Sequence, residues 1–139
     1  METIDEAKAY LREHYRDGVL CPCCRQMVKE YRRVLNAGMA RALILIALAG
    51  PGRWIDIKTI DTRGGDYAKL RHWGLLERHG EIEGLWRVTP AGLEFAHDRE
   101  RVPRYAHVLL GVCRGLSGSK IGIREALANK FDYQQLMSS

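Results

Sequence analysis

The chain has 139 residues, of which 46% are hydrophobic and 28% charged, and its 22 lysine and arginine residues outnumber 17 acidic ones. A chain of this size buries one modest core rather than two large ones, and its formal charge of +5 favours a polyanionic partner. The longest apolar run, residues 42–49, is shorter than the roughly 20 residues of a membrane span. The start of the chain is polar and acidic, unlike a secretory signal, so we expect a soluble, cytoplasmic protein.

A cluster of cysteines follows the first predicted helix, which begins with a capping box at Thr3 and Glu6 and runs to about residue 16. Cys21 and Cys24 have the Cys-x-x-Cys spacing with which two thiolates in a tight turn bind one zinc ion. The further ligands would come from His14, Cys23, His107, Cys113 or a second subunit. We therefore predict a structural zinc site, with a turn of buried thiols as the alternative. A redox role is disfavoured because the motif has no βαβ setting.

Two helices are predicted between the cysteines and the middle of the chain. The apolar residues of segment 27–35 have helical spacing, with Lys29, Arg32 and Arg33 on the solvated side. Asn36 is a suitable N-cap for the next helix, residues 37–49, whose apolar side chains surround nearly its whole circumference. Because a helix that is apolar all round is a buried one, we expect this helix at the centre of the core.

The segment after this helix predicts two further short elements. Residues 54–60 suit a short helix or a brief strand, and we favour the helix. A helix over residues 66–73 places Tyr67, Leu70 and Trp73 on one face, and the glycine that follows ends it. The remaining side chains of this helix are mostly basic and lie on the opposite face.

The second half of the chain predicts strands, turns and short helices. Residues 75–78 and 85–88 indicate two strands of a hairpin, and Thr89-Pro90 begins a helix with a cap and an N1 proline. Beyond Pro103 we predict, in order, a strand over 105–113, a turn over 115–118, a returning strand over 121–123, and helical segments over 125–131 and 132–137.

Two stretches of sequence carry a family resemblance. The residues Lys-Leu-Arg-His-Trp-Gly-Leu-Leu-Glu at 69–77 and Trp-Arg-Val-Thr-Pro-Ala-Gly at 86–92 resemble the recognition-helix, return-strand and next-helix passages of MarR-like and PadR-like winged-helix regulators. The resemblance extends over about residues 37–95. The whole chain also looks like small bacteriophage proteins, so the cytoplasm in which we expect it is that of a bacterial host. The winged-helix resemblance implies an α+β fold, namely a mainly helical winged-helix domain at 37–99 with a short hairpin wing. Residues 1–36 would add N-terminal helices, and 100–139 a small hairpin and helix.

The resemblance implies that the helix at 66–73 enters the major groove of DNA and that the hairpin contacts phosphates or the minor groove. Its base- or phosphate-facing residues would be Lys69, Arg71 and His72. Arginines at the start of the helix and beside it would complete the interface: Arg63, Arg53, Arg78 and Arg87. The alternative interpretation is an ordinary solvated helix face. Carboxylates at the tip of the hairpin, Glu81 and Glu83, would repel a phosphate backbone.

The predicted function is non-enzymatic binding of duplex DNA, as a homodimer, in the regulation of transcription or another DNA transaction. The dimer is implied by the resemblance and by the amphipathic flanking helices. The alternatives are a counter-defence protein of the anti-CRISPR type, which binds a host protein or nucleoprotein complex, and a metal-stabilised adaptor. No enzymatic activity is predicted, because Ser117 and Ser119 lack a recognisable histidine and acid partnership. His97 and His107 are single histidines, for which we predict structural roles.

Overall fold

The structure, a computed structural model, describes residues 19–20, 27–62 and 66–138. Its strands are β1 (Val19–Leu20), β2 (Met27–Val28), β3 (Glu30–Val34), β4 (Ile55–Asp56), β5 (Leu76–Arg78), β6 (Leu85–Val88), β7 (Val102–Leu109) and β8 (Val112–Ile121). Its α-helices are α1 (Ala37–Ala49), α2 (Pro90–Ala96), α3 (Ile123–Leu127) and α4 (Tyr133–Met137). Two 3-10 helices, Ile57–Thr59 and Asp66–Trp73, lie between β4 and β5. The second of these is called the long 3-10 helix below.

The strands form two small three-stranded antiparallel sheets, in the orders β3-β7-β8 and β4-β6-β5, and β1 pairs with β2. The prediction of a mainly helical domain is therefore wrong, and the fold is an α+β mixture. The predicted helix over residues 27–35 is replaced by β2 and β3. Strand β3 pairs along its whole length with β7, from Glu30 opposite Leu109 to Val34 opposite Tyr105, so distant pairing overrides the helical spacing of its apolar residues.

Helix α1 is the central core helix, as predicted. The Asn36 side chain accepts a hydrogen bond from the Met39 N–H at 2.9 Å and so caps its first turn. Most of its side chains are buried, including Leu43, Ile44 and Ile46, which are inaccessible to solvent. The helix packs against the long 3-10 helix, α2 and α3, which makes it the support on which the other elements rest.

The long 3-10 helix occupies the predicted helical segment but winds more tightly than an α-helix. Tyr67, Leu70 and Trp73 recur every third residue, which is the period of a 3-10 helix, and they turn toward the core. The Trp73 indole N–H donates to the Pro103 carbonyl at 2.7 Å and so ties this helix to β7. The side chains of Lys69, Arg71 and His72 lie in the other two rows of this helix.

The hairpin β5–β6 and the start of α2 lie close to their predicted positions. The Thr89 hydroxyl accepts from the Gly92 N–H at 3.0 Å, and Pro90 stands in the first turn of α2. At Gly92 a Cβ atom would lie 2.1 Å from the Leu75 carbonyl oxygen, so only glycine lets α2 approach the strand this closely. The preferred short helix over residues 54–60 is only partly present, because β4 precedes the first 3-10 helix.

The tail forms a longer hairpin than predicted. Strands β7 and β8 join through a two-residue turn at Leu110 and Gly111, both with positive φ, whereas the predicted turn at 115–118 lies inside β8. Residues of β7, β8 and α3, such as Val108, Ile121 and Ile123, belong to the same hydrophobic cluster as α1. No helix in the described ranges combines the length and hydropathy needed to cross a membrane.

Candidate nucleic-acid interface

One wall of a surface cleft is the long 3-10 helix, and the other is strand β3. The cleft has a volume of about 420 Å³ and is called the basic cleft below. Its lining consists of basic side chains, one tyrosine and a few small or apolar residues: Lys29, Tyr31, Arg33, Ala68, Lys69, Arg71, His72, Val108, Leu110 and Gly111. None of these described lining residues is acidic, so every charged side chain in this lining is basic.

The long 3-10 helix presents two rows of side chains to the cleft. Because residues three apart lie above one another in this helix, Lys69 aligns with His72, and Ala68 with Arg71. The Lys69 ammonium is 3.2 Å from an Asp66 carboxylate oxygen, in a pair that is partly exposed on both sides. The Arg71 guanidinium lies 3.5 Å from the Gly111 carbonyl oxygen, beside the β7–β8 turn. Both cations remain accessible to a ligand in the cleft.

Strand β3 contributes an exposed aromatic ring between two cations. Tyr31 is 47% exposed and lies opposite Val108 of β7. The Lys29 ammonium is 5.9 Å and the Arg33 guanidinium carbon 5.2 Å from the centroid of its ring. These distances are within the range of cation–π contacts, so the Tyr31 ring helps to hold two positively charged groups on this wall.

The two walls are close enough to influence each other electrostatically. Burial lowers the pKa of His72 below its ordinary value, and the positive charges of Arg71, Arg33 and Lys69 lower it further. Arg33 belongs to β3 whereas the other groups belong to the long 3-10 helix, so charges from two elements converge on the same space. An anion placed there would be attracted by all of them.

The sequence-predicted binding residues separate into two groups. Lys69, Arg71 and His72 come together in the basic cleft, whereas Arg53, Arg78 and Arg87 are not among its lining residues. The Arg87 guanidinium forms an ion pair with Glu77 and lies 4.2 Å from the centroid of the Trp54 ring. Arg78 and Glu83 share the lining of a different concavity. Arg63 lies outside the described residues.

The basic residues of β3 were missed as candidates because segment 27–35 was interpreted as a helix with a solvated basic side. One signal was available in the sequence: a helix ending at Leu35 leaves only Asn36 before the start of α1. Since one residue is too short for most connections between helices, an extended segment was the better interpretation. In a strand, Lys29, Tyr31 and Arg33 alternate onto the same face.

The predicted zinc ligands Cys21, Cys23, Cys24 and His14 lie outside the described residues. Within the described ranges, no three histidine, cysteine or acidic side chains are grouped closely enough to hold a metal ion. Cys113 is half-buried in β8, and its thiol is 3.5 Å from the Gly115 carbonyl oxygen. The structural zinc stays a prediction.

No family model, curated protein or solved structure matches this chain. The resemblance to winged-helix regulators therefore stays a prediction.

Proposed function

We propose that this protein binds nucleic acid, with the phosphate backbone in the basic cleft, and that duplex DNA is its ligand. The observation that carries the proposal is the convergence of Lys29, Arg33, Lys69, Arg71 and His72, from two separate elements, on a cleft with no acidic lining residue among those described. When lysine and arginine side chains neutralise DNA phosphates, the counterions condensed on the DNA are released. This release supplies most of the affinity of sequence-independent DNA binding. The long 3-10 helix, the β5–β6 hairpin and α2 follow one another along the chain. The winged-helix resemblance implies the same order of helix, hairpin and helix, which supports duplex DNA as the proposed ligand.

The shape of the cleft favours phosphate contacts over base recognition. The basic side chains of the long 3-10 helix face β3 and the β7–β8 turn, and Arg71 already lies near the Gly111 carbonyl. A recognition helix must project freely to reach the floor of a major groove. Contacts to phosphates position a protein on DNA but carry no sequence information. We therefore expect binding with weak sequence preference.

The test compares charge reversals inside and outside the cleft. Arg33→Glu and Arg53→Glu each change the net charge by the same amount, and both residues are exposed, so neither change disturbs the core. Fluorescence anisotropy with labelled duplex DNA of random sequence, at low and near-physiological salt, should show about a tenfold or greater loss of affinity for Arg33→Glu. Arg53→Glu should retain most of the affinity.

Equal losses of affinity in both variants would show that binding depends only on the net charge of the protein and would overturn the assignment of the cleft as the binding site. The absence of binding by the unmodified protein at either salt would overturn the proposed function and turn attention to a protein target. Tighter binding of a single strand of the same sequence would keep the cleft but exclude duplex DNA as the ligand.

A further inference from the structure

A hydrogen-bonded line of three side chains crosses the β3-β7-β8 sheet. The Ser117 hydroxyl on β8 is 2.5 Å from Nε2 of His107 on β7, and Nδ1 of the same imidazole is 3.1 Å from a carboxylate oxygen of Glu30 on β3. A serine, a histidine and an acid in this order form the arrangement in which a hydroxyl becomes a nucleophile. The sequence alone does not indicate this arrangement, because the three residues lie on three different strands.

The strand register explains why the three side chains meet. Glu30 lies opposite Leu109, two residues from His107, and Ser117 lies opposite Tyr105, two residues from His107 on the other side. Alternate residues of a strand share a face, and diagonal neighbours across strands are within reach of long side chains. Histidine on the central strand therefore bridges the two edge strands.

The hydrogen bonds also determine where the protons lie. A carboxylate of Glu30 can only accept, so Nδ1 of His107 carries a hydrogen and donates it. In a neutral imidazole Nε2 then has the lone pair, and the Ser117 hydroxyl donates to it. This tautomer is the one in which histidine can accept the serine proton during attack on an electrophile.

Ser117 lies in an irregular part of β8, beside the Tyr105 ring. Ser117 is half-buried, and β8 has a register shift on each side of it, a feature that is common next to active sites. A Cβ atom at Gly118 would lie 2.7 Å from the Tyr105 ring, so this ring packs directly on the backbone after the serine. The guanidinium of Arg32, a residue opposite His107, lies 4.4 Å from the centroid of the same ring.

We propose that Ser117 is a nucleophilic serine that hydrolyses carboxylic esters, with His107 as its general base and Glu30 as the positioning residue of His107. The Tyr105 ring offers an apolar surface to the acyl or alcohol group, and the Arg32 guanidinium over that ring brings a positive charge to the same face of the sheet. The site is separate from the basic cleft, because Glu30 and Arg32 alternate along β3 with the cleft residues Tyr31 and Arg33. The proposal therefore does not depend on nucleic-acid binding.

The proposed reaction has two steps, acylation of Ser117 and hydrolysis of the acyl group. Ser117 Oγ attacks the ester carbonyl carbon while its proton passes to His107 Nε2, and the C–O bond to the alcohol then breaks as the alcohol takes that proton. The acyl group is left on Ser117. A water molecule then attacks the acyl carbon, its proton passes to His107, and the bond to Ser117 breaks as the serine recovers the proton. The products are one alcohol and one carboxylic acid.

The first test is covalent labelling of the full chain with a fluorophosphonate. Ser117 Oγ would form a bond to phosphorus, fluoride would leave, and the proton would pass to His107. Mass spectrometry of peptides should place the label on Ser117 in the unmodified protein and in Ser119→Ala, a control at an exposed serine two residues further on. Ser117→Ala should not be labelled.

His107→Gln and Glu30→Gln test the roles of the partners. Glutamine at position 30 still accepts the imidazole N–H but lacks the charge, so a merely structural contact would leave the labelling rate unchanged. We expect about a hundredfold slower labelling in His107→Gln and a smaller but measurable decrease in Glu30→Gln, with parallel losses in hydrolysis of 4-nitrophenyl acetate. Thermal melts establish that each variant is folded, and Glu30→Gln serves alone if His107→Gln does not fold.

Three outcomes would overturn the proposal. The first is a folded protein that carries no label on Ser117. The second is labelling of Ser117 at the same rate in the His107 and Glu30 variants. The third is labelling without any hydrolysis of the ester above the rate of Ser117→Ala. Each of these outcomes would show that the hydrogen bonds among the three side chains have only a structural role in the sheet.

Discussion

His72 on the long 3-10 helix faces Arg33 of β3 across the basic cleft. Burial of the imidazole, followed by the charges of Arg71, Arg33 and Lys69, lowers its pKa, so these surroundings oppose protonation of His72. A bound phosphate would have the opposite effect, because a negative charge beside an imidazole stabilises its protonated form. Binding of a phosphate group should therefore be coupled to proton uptake by His72.

This coupling predicts that affinity for duplex DNA rises as the pH falls from about 8 to about 5.5. A bound phosphate would raise the pKa of His72 above that of the free protein, so the gain in affinity should be complete below the free-protein pKa and should disappear above the pKa in the complex. Anisotropy titrations at constant salt measure it. His72→Gln should make the affinity nearly independent of pH, whereas His97→Gln, at an exposed position outside the cleft, should not. The same pH dependence in both variants would exclude His72 as the titrating group.

The salt dependence of binding should identify which cations contact phosphates. Arg71 lines the basic cleft, whereas Arg53 does not. Each phosphate contact contributes about 0.9 to the slope of log affinity against log salt concentration for duplex DNA. We therefore expect Arg71→Ala to reduce the slope by about this amount and Arg53→Ala to leave it unchanged. An unchanged slope in Arg71→Ala would show that this guanidinium remains beside Gly111 in the complex.

Gly92→Ala should destabilise the fold. The added methyl group would lie 2.1 Å from the Leu75 carbonyl oxygen and 2.7 Å from a Val88 methyl group, so α2 must move away from the hairpin. We expect a loss of about 2 kcal/mol or more in the free energy of unfolding, measured by urea denaturation. Gly80→Ala is the matched control, because nothing lies within 4 Å of its added methyl group. Equal stability of the two variants would contradict the close approach of α2.

Trp73→Phe should weaken the attachment of the long 3-10 helix to β7. The change removes the indole hydrogen bond to the Pro103 carbonyl and keeps an aromatic ring in the core. A loss of about 1–2 kcal/mol in stability is expected, together with weaker DNA binding, because the wall formed by this helix is no longer held in place. Trp54→Phe, at a partly exposed indole, should cost less. The comparison uses thermal melts and the anisotropy assay.

The parts of the fold that were predictable depend on local signals. Asn36 caps α1 and Thr89 caps α2, and both contacts join residues three apart, so a short stretch of sequence contains all the information. The hairpin β5–β6 likewise joins neighbouring segments. The sequence also placed Lys69, Arg71 and His72 correctly on one side of their helix, because the apolar residues on the other side have a clear period.

The remaining parts depend on pairing between distant segments. Strand β3 is stabilised by β7, far along the chain, and its own residues have a period that also suits a helix. The β7–β8 turn was misplaced because Leu110 has positive φ, a conformation that sequence patterns associate with asparagine or glycine. The second wall of the cleft and the line from Ser117 to Glu30 both follow from this sheet, so local patterns did not reveal them.

Strand β7 carries the basic cleft on one face, through Val108, and the hydrogen-bonded His107 on the other. Because neighbouring residues of a strand point to opposite faces, deletion of one codon in the first half of β7 would exchange the two sets of side chains. Buried Ala106 and Val108 would face outward and His107 would enter the core. Substitutions on one face of β7 can therefore leave the other face unchanged, whereas a change in the length of this strand would disrupt the contacts on both faces at once.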